Sequence, residues 1–342
     1  MRLGRIAAVV GLGVSAACNV PTDFPIIEQE WIVPLASTTI SLSQLLPNGV
    51  SISGSSFAVD VGAFAATRTL GQVCSACVNG TTSLPAFDFT FTSTPQNLPA
   101  GLFEGQLTSG TISLQVQNGF SFDPTSNGGT VTISVIEASG RVLGTTTFVG
   151  SALPAGQTTT RAITVSGGSI GTRFGSQISS RTTIDSKAVG TAVTMNTSSQ
   201  LTVTATPQNL LMSSAGVSLA GKAFNIDPQD LDVAEIDTDV IDHLQSGAII
   251  LDVTNPFGAM TATIRINYPG GSLVKNVSLS NDYNPTVTLS YTDAELKRFL
   301  GQPSVMLTGN GTMNPAGGLF GVTPTAVVTL KAKLAAKIRL GD

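Results

Sequence analysis

Three groups of residues in this chain have the types and spacing for chemistry. Gly167-Gly168-Ser169-Ile170-Gly171 fits the Gly-x-Ser-x-Gly pattern, in which a sharp strand-to-helix turn exposes a serine hydroxyl for nucleophilic attack. His243, the sole histidine, follows with several aspartates in the order Ser…Asp…His. With 36 glycines and 35 serines in 342 residues, chance alone supplies about 0.4 such matches. The turn also requires a parallel sheet and a following helix, whereas TRFGSQISS is a poor helix former. A Gly-Ser hairpin after a strand at 162–165 explains the pattern, so no catalytic residue is expected. His243 has no second imidazole to join it in an ordinary zinc site, and its place is on a short helix from Asp239 to Gln245.

The second group is acidic. Asp227, Asp230, Asp232, Glu235, Asp237, Asp239 and Asp242 crowd one stretch. Hard oxygen ligands clustered in this way suit calcium, with Asp230, Asp232, Asp237 and Asp239 as the ligands. The EF-hand spacing with its central glycine is absent, and in LDVAEID the acids alternate with Leu231, Val233 and Ile236. The solvated face of a strand is the simpler expectation, so neither metal nor cofactor is expected.

The third group is the cysteines. Cys74 and Cys77 in VCSACVNG are expected to form a disulfide closing a small loop, given an oxidising compartment. A redox Cys-x-x-Cys needs a βαβ setting, and a zinc knuckle needs two more ligands. Cys18 follows MRLGRIAAVVGLGVSAA, which has Arg2 and Arg5, an apolar run and then small residues: the pattern of a secretory signal, too short to span a bilayer. A cysteine at the cleavage point resembles the lipobox of bacterial lipoproteins, although Ser15 stands where that family favours leucine. The resemblance implies removal of residues 1–17, a lipid on the Cys18 thiol, and, with Asn19 next, an outer-membrane destination. The same small residues also suit an ordinary signal peptidase, which would leave a secreted product.

Composition narrows the classes further. Charged residues are only 11%, against about 25% in ordinary soluble domains. Thr (43) and Ser (35) fill the gap. A net charge of −4 without a basic tract argues against a nucleic-acid partner. One Trp and three Tyr are too few for the aromatic girdles of a membrane barrel.

Period-two alternation recurs at Phe87, Phe89 and Phe91, at Ile112, Leu114 and Val116, in MTATIRINY (260–268), at Val287, Leu289 and Tyr291, and from Val328 to Leu340. Such alternation marks antiparallel strands with one wet face. In the last strand Lys331, Lys333, Lys337 and Arg339 form a basic row, which suits the guarding of a sheet edge; anionic headgroups are the other reading. Thr292-Asp293-Ala294-Glu295 is a capping box ahead of Leu296, Phe299 and Leu300, with Gly301 to stop the helix. Trp31 reads as a core anchor.

LTSGTISLQVQNGF (107–120) matches LQSGAIILDVTNPF (244–257) at eight of fourteen places, and a T-x-T-I strand follows each. TPQNL occurs at 94–98 and 206–210, at a different offset, which implies about 25 inserted residues in the second copy. The second copy, from Leu251 through Asn255-Pro256 to Tyr268, resembles the strand–Asn-Pro–strand signature of the water-stress domain of late-embryogenesis-abundant proteins. That resemblance covers about 25 residues and implies an immunoglobulin-like sandwich without enzymatic activity. The expectation is an all-β chain of tandem antiparallel β-sandwich-like modules with one or two short helices. Its divisions are a signal (1–17), an N-terminal β segment (18–85), a first unit (86–200) and a second (201–342). The expected role is a lipid-anchored, non-catalytic envelope protein of structural, adhesive or assembly type, partnered by the membrane and envelope proteins. A carrier for lipid or another apolar ligand is the alternative.

Overall fold

In a computed structural model the described residues are 27–171, 177–280, 282–314 and 319–340. Alternating sequences become strands throughout. The first are β1 (Ile27–Ser41), β2 (Val50–Ser53), β3 (Ser56–Val59), β4 (Phe64–Thr69), β5 (Gly80–Leu84), β6 (Phe87–Thr92), β7 (Gln96–Asn97) and β8 (Leu102–Asn118). Next come β9 (Thr130–Glu137), β10 (Val142–Val149), β11 (Thr158–Ser166), β12 (Ser169–Ile170), β13 (Gln177–Ser186), β14 (Val189–Met195), β15 (Gln200–Ser218) and β16 (Ala223–Asp230). The chain closes with β17 (Leu244–Thr254), β18 (Met260–Tyr268), β19 (Gly271–Leu279), β20 (Thr286–Thr292), β21 (Met306–Met313), β22 (Leu319–Val322) and β23 (Val327–Leu340). Helix is confined to single turns: α1 (Leu70–Val73), α2 (Thr238–Asp242), α3 (Asp293–Leu296) and two 3-10 turns. The class is all-β, in antiparallel sheets.

The sheets fall into two sandwich-like modules with the same strand plan. In one, a sheet containing β4, β15, β8 and β11 is accompanied by the sheet β6-β13-β9-β10. In the other, β1-β23-β17-β20 is accompanied by β16-β21-β18-β19. The repeat seen in sequence carries this plan. Ile112, Leu114 and Val116 of β8 and Ile249, Leu251 and Val253 of β17 all point inward and are buried. A buried asparagine closes each strand, Asn118 as the last residue of β8 and Asn255 one residue beyond β17. Asn118 Oδ1 accepts from Phe120 N at 2.9 Å, and Asn255 Oδ1 accepts from Phe257 N at 3.0 Å. Both asparagines also donate through Nδ2, Asn118 to Phe122 O (2.8 Å) and Leu153 O (2.7 Å), and Asn255 to Gly258 O. Phe120 and Phe257 are then driven into the core, and the chain crosses to the opposite sheet. The matched glycines are also explained: a Cβ on Gly110 would meet Leu210 Cδ2 at 2.5 Å, and one on Gly247 would meet Ala335 O at 2.8 Å.

The TPQNL echo does not share this equivalence. Its first copy lies around the two-residue β7, and its second inside β15. The equivalent strands are β6 and β16, whose first residues, Phe87 and Ala223, are 136 residues apart, close to the 137 between Leu107 and Leu244. No 25-residue insertion separates these landmarks.

The division of the chain also differs from the expected one. β1 pairs along its length with β23, whereas β3 and β4 pair with β15, so the segment 18–85 is shared between the modules. Residue 201 falls inside β15, which completes the first module's sheet. The first module is thus inserted into the second, between β1 and β16. The insertion points adjoin: Asn225 N donates to Gln44 Oε1 at 2.8 Å. β15 bridges the two modules, pairing first with β4, then with β3, and finally, from Ala215 to Ser218, with β22. Strand pairing across more than 100 residues leaves no local mark, which is why alternation alone does not locate these boundaries.

α3 forms as expected, with its capping box intact: Glu295 N donates to Thr292 Oγ1 (3.2 Å), and Thr292 N donates to Glu295 Oε2 (2.9 Å). α2 covers Thr238–Asp242 instead of 239–245, because Leu244 and Gln245 are drawn into β17 by pairing with β23.

Candidate functional site

The acidic stretch and the last strand meet around an apolar hollow of about 290 Å³. Trp31 and Val33 of β1 wall one side, and Leu334 and Ala336 of β23 lie behind them. Val240 and Ile241 of α2, with Leu244 and Leu300, complete the lining, and Glu235 and Asp237 sit at its rim. Local hydrogen bonds fix this geometry. The Asp237 carboxylate caps α2 by accepting from Asp239 N at 3.0 Å. Gly301 N donates to Val233 O (2.9 Å), and Arg339 N donates to His243 O (3.0 Å), tying the loop to the helix end and to β23. Gly301 has φ +72, a left-handed conformation that suits glycine at a helix terminus. Trp31 is not the core anchor expected of it: on the last strand of its sheet it stays 41% exposed.

The opposite face of this sheet carries the basic row. β23 lies between β1 and β17, so the row does not guard an edge; the edge belongs to β1. There a register shift between Pro34 and Ala36, and the charges of Glu28 and Glu30, do the guarding. The basic residues face acids on both neighbours: Lys337 Nζ lies 2.7 Å from Glu28, and Lys333 Nζ lies 2.5 Å from Asp252. The hydrogen bond and charge of Lys337 hold the Glu28 carboxyl below the usual carboxylate range. A hydrogen bond from Lys333 does the same for Asp252, against a smaller opposing effect of burial.

A further cluster lies beside α3. Lys275 Nζ is 3.4 Å from Glu295 Oε1 and 4.7 Å from the centre of the Tyr291 ring, which packs edge-on against Phe299. Burial pushes the Tyr291 hydroxyl well above its usual pKa, and the Glu295 charge adds to the effect. Hydrogen bonding from the Thr292 backbone is the main reason Glu295 titrates low. This cluster packs β19, β20 and α3 together.

The other sequence candidates are scattered. Ser169 lies exposed on the two-residue β12, antiparallel to β8, with its hydroxyl 3.4 Å from Gln106 Oε1. This is a strand–turn–strand setting, unlike the parallel strand–turn–helix that the Gly-x-Ser-x-Gly pattern needs. His243 Nδ1 lies 2.7 Å from Asp239 O within its own helix end. Asp230 ends β16, Asp232 lies in the following bend, and Asp237 caps α2, so LDVAEID is a loop, not the wet face of a strand. Among the described residues no three His, Cys, Asp or Glu side chains gather as a metal site, so the proposed calcium ligands do not converge. Cys74 and Cys77 are joined by a disulfide with Cα atoms 5.4 Å apart, buried at the end of α1. Cys18 and the signal lie outside the described residues. The hollow is not legible in the sequence, because it needs β1 beside β23 across about 300 residues of chain.

No family model matches this chain, and no curated protein does. Among solved structures it is similar to the crystal structure of "a putative secreted protein from Parabacteroides distasonis ATCC 8503", at 13% identity and a TM-score of 0.33, over 90% of this chain and 99% of that one. It is also similar to the infectious bursal disease virus VP2 subviral particle, at 12% identity and a TM-score of 0.22, over 95% and 74% of the two chains. At such scores the architecture is read from the strands themselves. No helix among the described residues is long and apolar enough to cross a membrane.

Proposed function

We propose that this chain is an exported, lipid-anchored β protein of the bacterial outer membrane with a non-catalytic structural, adhesive or assembly role. The observation that carries the reading is Cys18 at the end of a secretory-signal pattern, nine residues ahead of the start of β1 at Ile27. The clasp at Cys74 and Cys77 supports an oxidising compartment. Two modules built on one plan, with Thr- and Ser-faced sheets, support a scaffold role. Several acyl chains, at about 0.8 kcal/mol per buried methylene, would anchor such a protein firmly. Labelled palmitate is expected to be incorporated by the wild type and lost on Cys18→Ala; a soluble, unlabelled wild-type product would overturn the anchor.

The hollow beneath Trp31 favours a second reading, a carrier for an apolar ligand. Apolar molecules retained through detergent-free purification and seen by mass spectrometry would favour it. An empty protein that gains nothing from added lipid would remove it.

A further inference from the structure

The hollow lies where β1 starts, and β1 is the strand into which the Cys18 segment runs. Nine residues lead from Cys18 to Ile27, a reach of at most about 30 Å. Trp31 stands four residues along β1 from Ile27, about 13 Å back toward the hollow. A group on Cys18 therefore has more than enough chain to fold back onto the wall formed by Trp31 and Val33. The lining is aliphatic and aromatic, and its volume of about 290 Å³ falls just below the range of drug-sized sites, about 300–1,000 Å³, so it suits a single slender chain. Glu235 and Asp237 at the rim repel a free fatty-acid carboxylate but not a neutral, ester-linked acyl chain. Trp31, 41% exposed, is the part of the lining that such an occupant would cover.

We propose that the hollow between β1, β23 and α2 houses one acyl chain of the lipid carried on Cys18, held back from the bilayer by Trp31, Val33, Val240 and Leu334. The inference rests on the lipid-anchor reading above and adds an intramolecular seat to it. The anchor then has two states: one chain seated and the others in the membrane, or all chains released.

Trp31 is the only tryptophan, so its emission reports the hollow directly. Full-length lipidated protein, its Cys18→Ser variant and lipidated Val240→Phe are compared in the same amphipol. The mass of the N-terminal peptide reports the lipid independently of the hollow. The lipidated wild type is expected to show blue-shifted emission and roughly twofold weaker acrylamide quenching than Cys18→Ser, because a seated chain covers the indole. Val240→Phe, which fills the hollow from α2, is expected to expel the chain and return quenching to the Cys18→Ser level in that same amphipol. Should Val240→Phe fail to fold, Ile236→Phe obstructs the site from the loop.

A lipid-bearing wild type with the same quenching as Cys18→Ser overturns the seat while leaving the anchor intact. A shift that survives Val240→Phe comes from amphipol on the surface and also overturns the seat. A peptide mass without lipid overturns the anchor, and the seat with it.

Discussion

At the scale of single residues, the two buried asparagines do the most structural work. Asn118 and Asn255 each turn the end of a long strand inward by hydrogen-bonding the backbone that follows, and each places a phenylalanine in the core. Asn118→Ala strands two buried carbonyls and one amide, and is expected to cost about 2–4 kcal/mol, with Asn255→Ala costing about 1–3 kcal/mol. Urea unfolding measures both; an unchanged midpoint for either variant contradicts the assignment. The exposed ion pairs act differently. Glu28 and Asp252 have depressed pKa values in the folded state. Their contribution is therefore full above the ordinary carboxylate range and is lost as the pH falls through the depressed folded values. The unfolding midpoint is expected to drop below about pH 4, and Lys333→Met should flatten that drop. The Cys74–Cys77 pairing and the capping box at Thr292 were legible from spacing alone, because both are local. The absence of convergence among Asp230, Asp232, Asp237 and Asp239 was not, since it depends on the path of a loop.

At the scale of elements, alternation located strands well and told nothing about their neighbours. MTATIRINY is β18 from end to end, and the alternation from Val328 marks β23 to within a residue. Yet the basic row on β23 reads as an edge, whereas the strand is paired on both sides. A row of lysines fits an edge facing water and equally fits an interior strand flanked by acids; only the positions of Glu28 and Asp252 decide between them. α3 owes its single turn to capping and to the burial of Leu296 and Phe299 against β17 and β20. Thr292→Ala is expected to destabilise the protein by about 1 kcal/mol, and Thr292→Ser by much less. Thermal unfolding of the two variants measures the difference, and equal losses would show that the hydroxyl is not the cause.

At the scale of the molecule, one module is threaded into the other, and β1 is the consequence. Residues 219–342 expressed alone leave β23 with one unpaired edge beside Leu334 and Ala336, and are expected to aggregate or to lack a cooperative transition. Because Gln44 and Asn225 adjoin, a short Gly-Ser linker joining residues 27–45 to 222–342 should restore cooperative unfolding and monodispersity. A well-folded 219–342 fragment would show that β1 is dispensable. The all-β class, most strand positions, the strand–Asn–turn–Phe repeat and the cysteine clasp are readable from the residues alone. Each of these follows from contacts close in the chain or from a two-residue period imposed by one wet face. That β1 belongs with β23, that β15 bridges the modules and that an apolar hollow opens beneath Trp31 emerge only from the folded chain. Those features depend on which strands pair across 100 or more residues of chain, and an alternating strand carries the same pattern whichever neighbour it takes.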